Sequence, residues 1–143
     1  MILDTRTLLL SYLASDLICL AVIILLWRQN RERVGGTHLW IIDYAFKLSG
    51  LVLMTLRGAV PDWASILLAN ALILASWLIG YEALLRFAGA TRRRTFNNLV
   101  LAAAILIHAY FTFGEPNMNA RIINVSAALV IIVSQCAWFC LRG

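Results

Sequence analysis

The sequence predicts an all-α membrane protein, a single domain over 1–143 built as a five-transmembrane-helix bundle. Of its 143 residues, 62% are hydrophobic and 13% are charged, and the mean hydropathy is +0.85. A soluble domain of this size cannot bury so much apolar side chain, so lipid is the expected solvent. Five apolar runs each approach the roughly 20 residues that cross a bilayer as helix. The approximate spans are 5–28, 38–59, 62–86, 95–113 and 120–142.

The distribution of arginines predicts how the bundle lies in the membrane. Eight arginines fall at one set of helix ends and three at the other. Because positively charged loops stay in the cytoplasm, the N-terminus is expected outside and the C-terminus inside. The Arg92-Arg93-Arg94 triplet fits a cytoplasmic loop beside anionic headgroups. Nucleic acid is not an expected partner, since no basic soluble domain or interleaved aromatic residues accompany the triplet.

The first two helices are expected on either side of a polar linker. Asp16 falls near the middle of the first span, where a carboxylate must find a donor in the bundle or be neutral. Gly35-Gly36 interrupts the helical pattern before the second helix. Within that helix, Ser49-Gly50 is small enough to let a neighbouring helix approach closely.

Residues 57–63 are predicted to form a tight hairpin between the second and third helices. Pro61 has no amide donor and should end the second helix, while Gly58 supplies backbone freedom for the turn. Asp62 is placed to cap the third helix, and Trp63 suits a bilayer surface.

The last three helices are predicted from small residues and turn signals. Ser76 and Gly80, four residues apart, give the third helix a face suited to tight packing. The fourth helix begins near Thr95, and residues 114–119 make the turn to the fifth. The cysteines are expected to act as small packing residues rather than as metal ligands or disulfide partners. They are Cys19, Cys136 and Cys140.

One set of polar residues in the outer half of the bundle is a candidate ligand site. Its two arginines can receive a carboxylate or phosphate, while nearby aromatic and aliphatic side chains can hold a tail. Polar groups inside a membrane are functional candidates by default. In the alternative interpretation, Arg57 pairs with Asp62 to lock the hairpin and Arg121 lies on the outer rim. The set consists of Arg57, Asp62, Asn70, His108, Tyr110, Arg121 and Asn124.

A second set, in the inner half, consists of acid–base pairs four residues apart. This spacing places both members of a pair on one helix face. The pairs are Asp43 with Lys47 and Glu82 with Arg86. A relay for protons or ions is one interpretation, but two structural ion pairs explain these residues more simply.

No catalytic motif is visible, so this chain is not predicted to be an enzyme. A metal site and a bound cofactor are not predicted either. His38 and His108 are expected at opposite membrane faces, whereas a haem with two histidine ligands needs both at one depth.

The sequence also resembles a known family, through a series of short motifs. Its region 4–8 reads Asp-Thr-Arg-Thr-Leu at the start of the first span. The other motifs are Trp27-Arg28, Arg57-Gly58, Pro61-Asp62, Ser65, Ala69-Asn70, Tyr81-Glu82 and Arg86-Phe87. This pattern is similar to the N-terminal membrane-sensing region of bacterial diguanylate cyclases, which precedes a cytoplasmic GGDEF domain. The similarity covers essentially the whole chain and implies a multi-pass protein of the bacterial inner membrane.

The resemblance implies a sensory domain that regulates, and dimerises, a GGDEF domain making cyclic di-GMP from GTP with Mg²⁺. The chain is expected to end where that output domain would start, so GTP and Mg²⁺ are not expected to bind here. The expected partners are the lipid bilayer, a second copy of the chain and a small or lipid-like signal. Two alternatives are a small transporter or channel subunit, indicated by Asp16, Asp43, Lys47 and Glu82, and a passive dimerisation anchor.

Overall fold

The computed structural model describes residues 5–30, 36–90 and 95–142, and it is helical apart from short turns. Two π-helical segments are continuous with longer helices, Trp63–Leu68 before the third and Tyr110–Gly114 after the fourth. The described residues contain no strand beyond an isolated bridge between Arg57 and Val60. The predicted all-α class is therefore confirmed. The long helices are α1 (Thr5–Asn30), α2 (Thr37–Thr55), α3 (Ala69–Phe87), α4 (Thr95–Ala109) and α5 (Met118–Arg142).

Four stretches of the described chain are long and apolar enough to cross a membrane. The 19-residue helix α2, which carries Asp43 and Lys47, is not one of them. The count of five crossings therefore stays a prediction, whereas the apolar multi-helix character is observed. The four stretches are Thr7–Gln29, Trp63–Phe87, Thr95–Gly114 and Met118–Arg142.

The outer faces of the bundle are far more apolar than the surface of a soluble domain, and several polar side chains are buried. Large apolar side chains on the outer faces are exposed, for example Ile18 at 66% and Leu106 at 70%. Exposed apolar surface of this extent indicates a lipid environment, in which the interior is the place for polar groups. The buried polar side chains are Asp16, Asp43, Ser65, Ser76 and His108.

Helix α3 is the central element, since it contacts α2, α4 and α5, while α1 packs on α2. An apolar core joins Leu74 of α3 to Ala104 of α4 and Ala128 of α5. The hairpin end of the bundle is the end that carries the turns at 56–62 and 115–117. The beginnings of α2 and α4 lie at the opposite end. The predicted elements around Asp4, Gly35 and Arg92-Arg93-Arg94 lie outside the described residues.

Helices α2 and α3 approach each other closely at Gly50, as Ser49-Gly50 predicts. A Cβ atom at Gly50 would lie 2.8 Å from both the Ala69 carbonyl oxygen and Cγ1 of Ile73. Ala69 and Ala83, on α3, are fully buried. Small residues therefore set the distance between these two helices.

The turn after α2 comes earlier than predicted. Helix α2 ends at Thr55 rather than near 59, because the chain reverses direction at once. The amides of Ala59 and Val60 both donate to the Leu56 carbonyl, at 2.9 and 3.2 Å. Gly58 has φ +95°, in the left-handed region that favours glycine.

The prediction that Asp62 caps the next helix is wrong. Its side chain makes no capping hydrogen bond. Instead, the amides of Ala64 and Ser65 both donate to the Pro61 carbonyl, at 3.0 and 3.1 Å. The first amides of this helix are therefore paired with a backbone carbonyl and not with a side chain, and the helix begins with a π-helical turn.

Helix α5 begins at Met118, slightly before the predicted position near 120. The side-chain oxygen of Asn117 accepts a hydrogen bond from the Ala120 amide at 3.1 Å. Asn117 is therefore the residue that caps this helix.

Candidate functional site

A cavity of about 700 Å³ lies at the hairpin end, and we call it the hairpin-end cavity. It is bounded by the beginnings of α1 and α5, the end of α2, the first π-helical segment, Asn70 near the start of α3, and His108. Its volume falls within the range of small-molecule binding pockets. Its polar lining includes Arg57, Ser65, Asn70, His108, Arg121 and Ser126.

The first π-helical segment shapes one wall of the cavity. The Pro61 carbonyl accepts from two successive amides, and the following turn places Ser65 and Ile66 in the lining. The Asn70 amide then donates to the Ile66 carbonyl at 2.6 Å. Single π-helical turns inside α-helices occur frequently at functional sites.

His108, near the end of α4, is one of two deeply buried polar residues of the cavity lining, and the other is Ser65. The His108 side chain is 4% exposed, and neither ring nitrogen has a hydrogen-bond partner in the described part of the chain. The Ile66 carbonyl lies near the ring without meeting hydrogen-bond geometry, and it already accepts from Asn70. A neutral imidazole offers one donor and one acceptor, and leaving them unpaired costs about 1–3 kcal/mol.

Two arginines give the cavity its charge. Arg57 is exposed and Arg121 is half-buried, and both line the cavity. Arg121 is close enough to His108 to interact with it electrostatically. The ion pairs among the described residues involve neither arginine. The alternative prediction of a pair between Arg57 and Asp62 is therefore not observed.

The remaining three members of the predicted outer set lie away from the cavity lining. Asp62 is exposed on the turn. The exposed Tyr110 ring meets the Phe111 ring edge to face, with centroids 5.2 Å apart. The Asn124 amide donates to the Ala104 carbonyl at 2.8 Å and so ties α5 to α4. None of these three side chains therefore belongs to the candidate site.

The cavity also contains polar residues that sequence reasoning missed. Ser126 follows Ile122 by four residues on α5, and both line the cavity. That spacing is a signal that the sequence does contain. Ser65 had no such signal, because its orientation depends on the π-helical turn that begins at Trp63.

Both acid–base pairs of the inner set are formed. Lys47 Nζ lies 3.6 Å from Oδ1 of Asp43, and this pair is buried. Arg86 Nε donates to Oε1 of Glu82 at 3.1 Å in a more exposed position. Glu82 and Arg86 also line a smaller cavity of about 260 Å³, together with Asn97 and Asn98 of α4.

Asp16 of α1 joins the buried pair, which the sequence did not reveal. It is 8% exposed and interacts electrostatically with both Lys47 and Asp43. The Lys47 ammonium lies 4.4 Å from the centroid of the Tyr44 ring and 5.2 Å from a ring of Trp77. We call Asp16, Asp43 and Lys47 the buried acid cluster.

The cysteines and histidines do not form a metal site within the described residues, where no three His, Cys, Asp or Glu side chains converge. The three thiols are free. Cys19 and Cys140 are exposed, so the prediction that the cysteines act as small packing residues is wrong for these two. Cys136 is half-buried.

Comparisons of the chain with protein-family models, with curated proteins and with solved structures give no match. What the protein does must therefore be inferred from its own residues.

Proposed function

We propose that this chain is a membrane-embedded sensory domain whose hairpin-end cavity binds an amphiphile with an anionic head group. Binding would regulate a cytoplasmic diguanylate cyclase GGDEF domain, a part of the proposal that rests on the sequence resemblance alone. The observation that carries the binding proposal is His108. Within the described residues, it is a buried imidazole without a hydrogen-bond partner, in a cavity that is also lined by two arginines without ion-pair partners.

The charge of the cavity selects the head group. Guanidinium groups match carboxylates and phosphates through paired, charge-assisted hydrogen bonds. Arg57 and Arg121 approach the cavity from opposite elements, the turn after α2 and the start of α5. A head group bound between them also lies within the cavity that His108 lines, and the imidazole then gains a polar partner.

The apolar lining selects a tail. Leucine, isoleucine, methionine and valine side chains from α1, the first π-helical segment and α5 make up most of the remaining wall. Leu10 and Met118 are also exposed on the outside of the bundle, at 58% and 61%. The cavity is therefore continuous with the surface that faces lipid. A ligand can enter from the bilayer with its tail among side chains of its own polarity.

The same geometry suggests how a bound ligand influences the output. Under the orientation predicted from the arginines, the hairpin end is outside and α5 runs inward from Arg121 to Arg142. A ligand shifts the equilibrium between two packings only by its different affinity for them. Because Arg121 belongs to both the cavity and α5, a ligand can bias the position of the helix that leads to the cytoplasm.

The binding proposal is tested with oleate and with oleyl alcohol, which has a tail of the same length without the carboxylate. With the chain in nanodiscs, we expect oleate to bind more tightly than the alcohol. The Arg57→Gln, Arg121→Gln double variant should lose this preference. Arg142→Gln is the matched control, since Arg142 lies over the Trp138 ring at the other end of α5. Equal binding of both probes by the wild-type chain would overturn the proposal.

The sensory role is tested separately in cells that carry the complete encoded protein. Arg57→Ala and Asn70→Ala should each alter the regulation of cyclic di-GMP production, because both residues line the cavity. Wild-type regulation in both variants would count against this site. Replacing the chain by an unrelated dimerising bundle tests the anchor alternative, which expects no change in regulation.

A transporter or channel subunit is the second candidate, favoured by one arrangement. Polar groups are found at the hairpin end, in the buried acid cluster and in the smaller cavity beside Glu82 and Arg86. Transport requires a polar path that connects these three regions. Measurement of proton and monovalent-ion flux in proteoliposomes tests this candidate. Absence of flux at every pH would remove this candidate.

A further inference from the structure

The buried acid cluster is a charged site in the part of the bundle where α1 packs on α2. Two carboxyl groups, from Asp16 and Asp43, share one ammonium group, from Lys47. Asp16 and Asp43 are only 8% and 5% exposed. With both carboxyls ionised, the cluster carries one uncompensated negative charge, which is costly in a low-dielectric interior.

The cluster has unfilled hydrogen-bonding capacity. Oδ2 of Asp16 and Oδ1 of Asp43 are buried without a hydrogen-bond partner within the described residues. Lys47 Nζ approaches Asp43 Oδ1 only to 3.6 Å, a distance beyond an ordinary charged hydrogen bond. The ammonium is partly held by the Tyr44 and Trp77 rings instead.

A serine of α3 lies beside this site. Ser76 is fully buried next to Asp43, and its hydroxyl lies 2.7 Å from the Ile73 carbonyl oxygen, to which it can donate. A hydroxyl has one proton and two lone pairs, so Ser76 can accept from a protonated Asp43 carboxyl or turn its proton to an ionised one. This neighbour therefore accommodates both protonation states of the site.

We propose that the buried acid cluster is a proton-binding site that holds one proton between Asp16 and Asp43. The proton comes from the solvent and forms an O–H bond on one carboxyl, which leaves the other carboxylate paired with the Lys47 ammonium. The net charge of the cluster then changes from minus one to zero. This inference does not depend on the hairpin-end cavity or on the identity of any output domain.

A proton fits this site better than a metal cation. The Lys47 ammonium already interacts with both carboxyls, and an inorganic cation would have to compete with it. Space is also short, since a Cβ atom at Gly80 would lie 3.0 Å from Oδ2 of Asp43. The other titratable groups that face the site are Cys19 of α1 and Tyr44 of α2, and α3 contributes Ser76, Trp77 and Gly80.

Proton binding here has a structural consequence. Asp16 is the member of the cluster that belongs to α1, and the other two belong to α2. Loss of the proton places repulsion between two carboxylates across the contact between these helices. The packing of α1 on α2 is therefore linked to proton concentration on whichever side of the membrane the site can reach.

Infrared spectroscopy of the chain in lipid bilayers tests the proposal through the carbonyl stretch of a protonated carboxylic acid. At neutral pH we expect one protonated carboxyl per wild-type chain, and its signal should disappear as the pH is raised. Asp16→Asn and Asp43→Asn should each abolish the signal, because the remaining carboxylate pairs with Lys47. Lys47→Met should double it. Glu82→Gln is the matched control and should leave it unchanged.

The wild-type spectrum is decisive even if a variant fails to fold. No protonated carboxyl at neutral or mildly acid pH would overturn the proposal. Persistence of the full signal in Asp16→Asn would also overturn it, since the proton would then not be shared. Exchange of Na⁺ for K⁺ should leave the titration unchanged. A signal that Na⁺ alone abolishes would overturn the proposal in favour of a cation site.

Discussion

The hairpin-end cavity and the buried acid cluster are both polar sites inside an otherwise apolar bundle, but they differ in space and in charge. The cavity encloses about 700 Å³ and is lined by two arginines. The cluster is closely packed against Gly80 and the aromatic rings around Lys47, and it has more acidic than basic groups. Both contain buried polar atoms that have no hydrogen-bond partner among the described residues. The available space is the reason for proposing a different partner for each, an amphiphile in the cavity and a proton in the cluster.

The difference has its origin in the backbone. Gly50 and Gly80 bring α2 and α3 into close contact, and Gly80 lies directly against Asp43 of the cluster. At the hairpin end, the turn at 56–62 and the two π-helical segments interrupt regular α-helix, and the first of these segments lines the cavity. Substitutions at corresponding positions in the two regions therefore test whether they differ in packing and in charge.

The largest expected effect is from Lys47→Met. Without the ammonium, both carboxyls of the cluster must be protonated or stay charged without a partner, and loss of one member of a buried ion pair typically costs about 3–5 kcal/mol. We expect a loss of this order in the unfolding free energy, measured in mixed micelles of mild detergent and dodecyl sulfate. The double variant Lys47→Met, Asp43→Leu should recover much of it. An unchanged stability in the single variant would mean that the cluster is solvated and not buried.

Gly50→Ala is expected to be the next most damaging change. The new Cβ would lie 2.8 Å from the Ala69 carbonyl oxygen, so α2 and α3 must separate. Overpacking of this kind costs about 1–3 kcal/mol, measurable by the same unfolding assay.

Ser126→Leu is the corresponding enlargement at the hairpin-end cavity, because Ser126 lines that cavity. It should alter the unfolding free energy by less than about 0.5 kcal/mol while it displaces oleate. If Gly50→Ala and Ser126→Leu lowered the unfolding free energy equally, the helix contact at Gly50 would not be more closely packed than the hairpin-end cavity.

His108→Phe is expected to stabilise the ligand-free bundle by about 1 kcal/mol, because it removes two buried ring nitrogens that have no hydrogen-bond partner among the described residues. The same change should weaken oleate binding. Stability is measured by thermal denaturation with and without oleate, and the wild-type chain should gain more from the ligand than the variant does. A variant that is less stable without ligand would show that His108 serves the fold and not the site.

The smallest expected effect is from Arg86→Gln. Its pair with Glu82 has the same spacing as Asp43 and Lys47, but it is partly exposed. Pairs of this kind contribute about 0.3–0.5 kcal/mol. The unfolding assay should therefore separate Arg86→Gln from Lys47→Met by several-fold. Similar losses from both would indicate that burial does not distinguish the two pairs.

Local spacing was enough to predict some of these features. The pairs Asp43–Lys47 and Glu82–Arg86 depend only on the helical repeat, and both are formed. The depth of Arg57, Asn70, His108 and Arg121 follows from their positions along apolar runs, and these four meet at one cavity. Depth does not specify rotation about a helix axis, however. Tyr110 and Asn124 have comparable depth but face the outside and α4 respectively.

The helical class, the apolar character, the approximate ends of the helices and the pairs within a helix could be predicted from the amino-acid sequence. Those properties depend on contacts between residues that are close along the chain. The contact of Asp16 with Asp43 and Lys47, and the position of Ser65 and Ile66 in a cavity wall shaped by a π-helical turn, are visible only in the folded bundle. These contacts join separate helices, and the rotation and spacing of packed helices result from many side chains acting together.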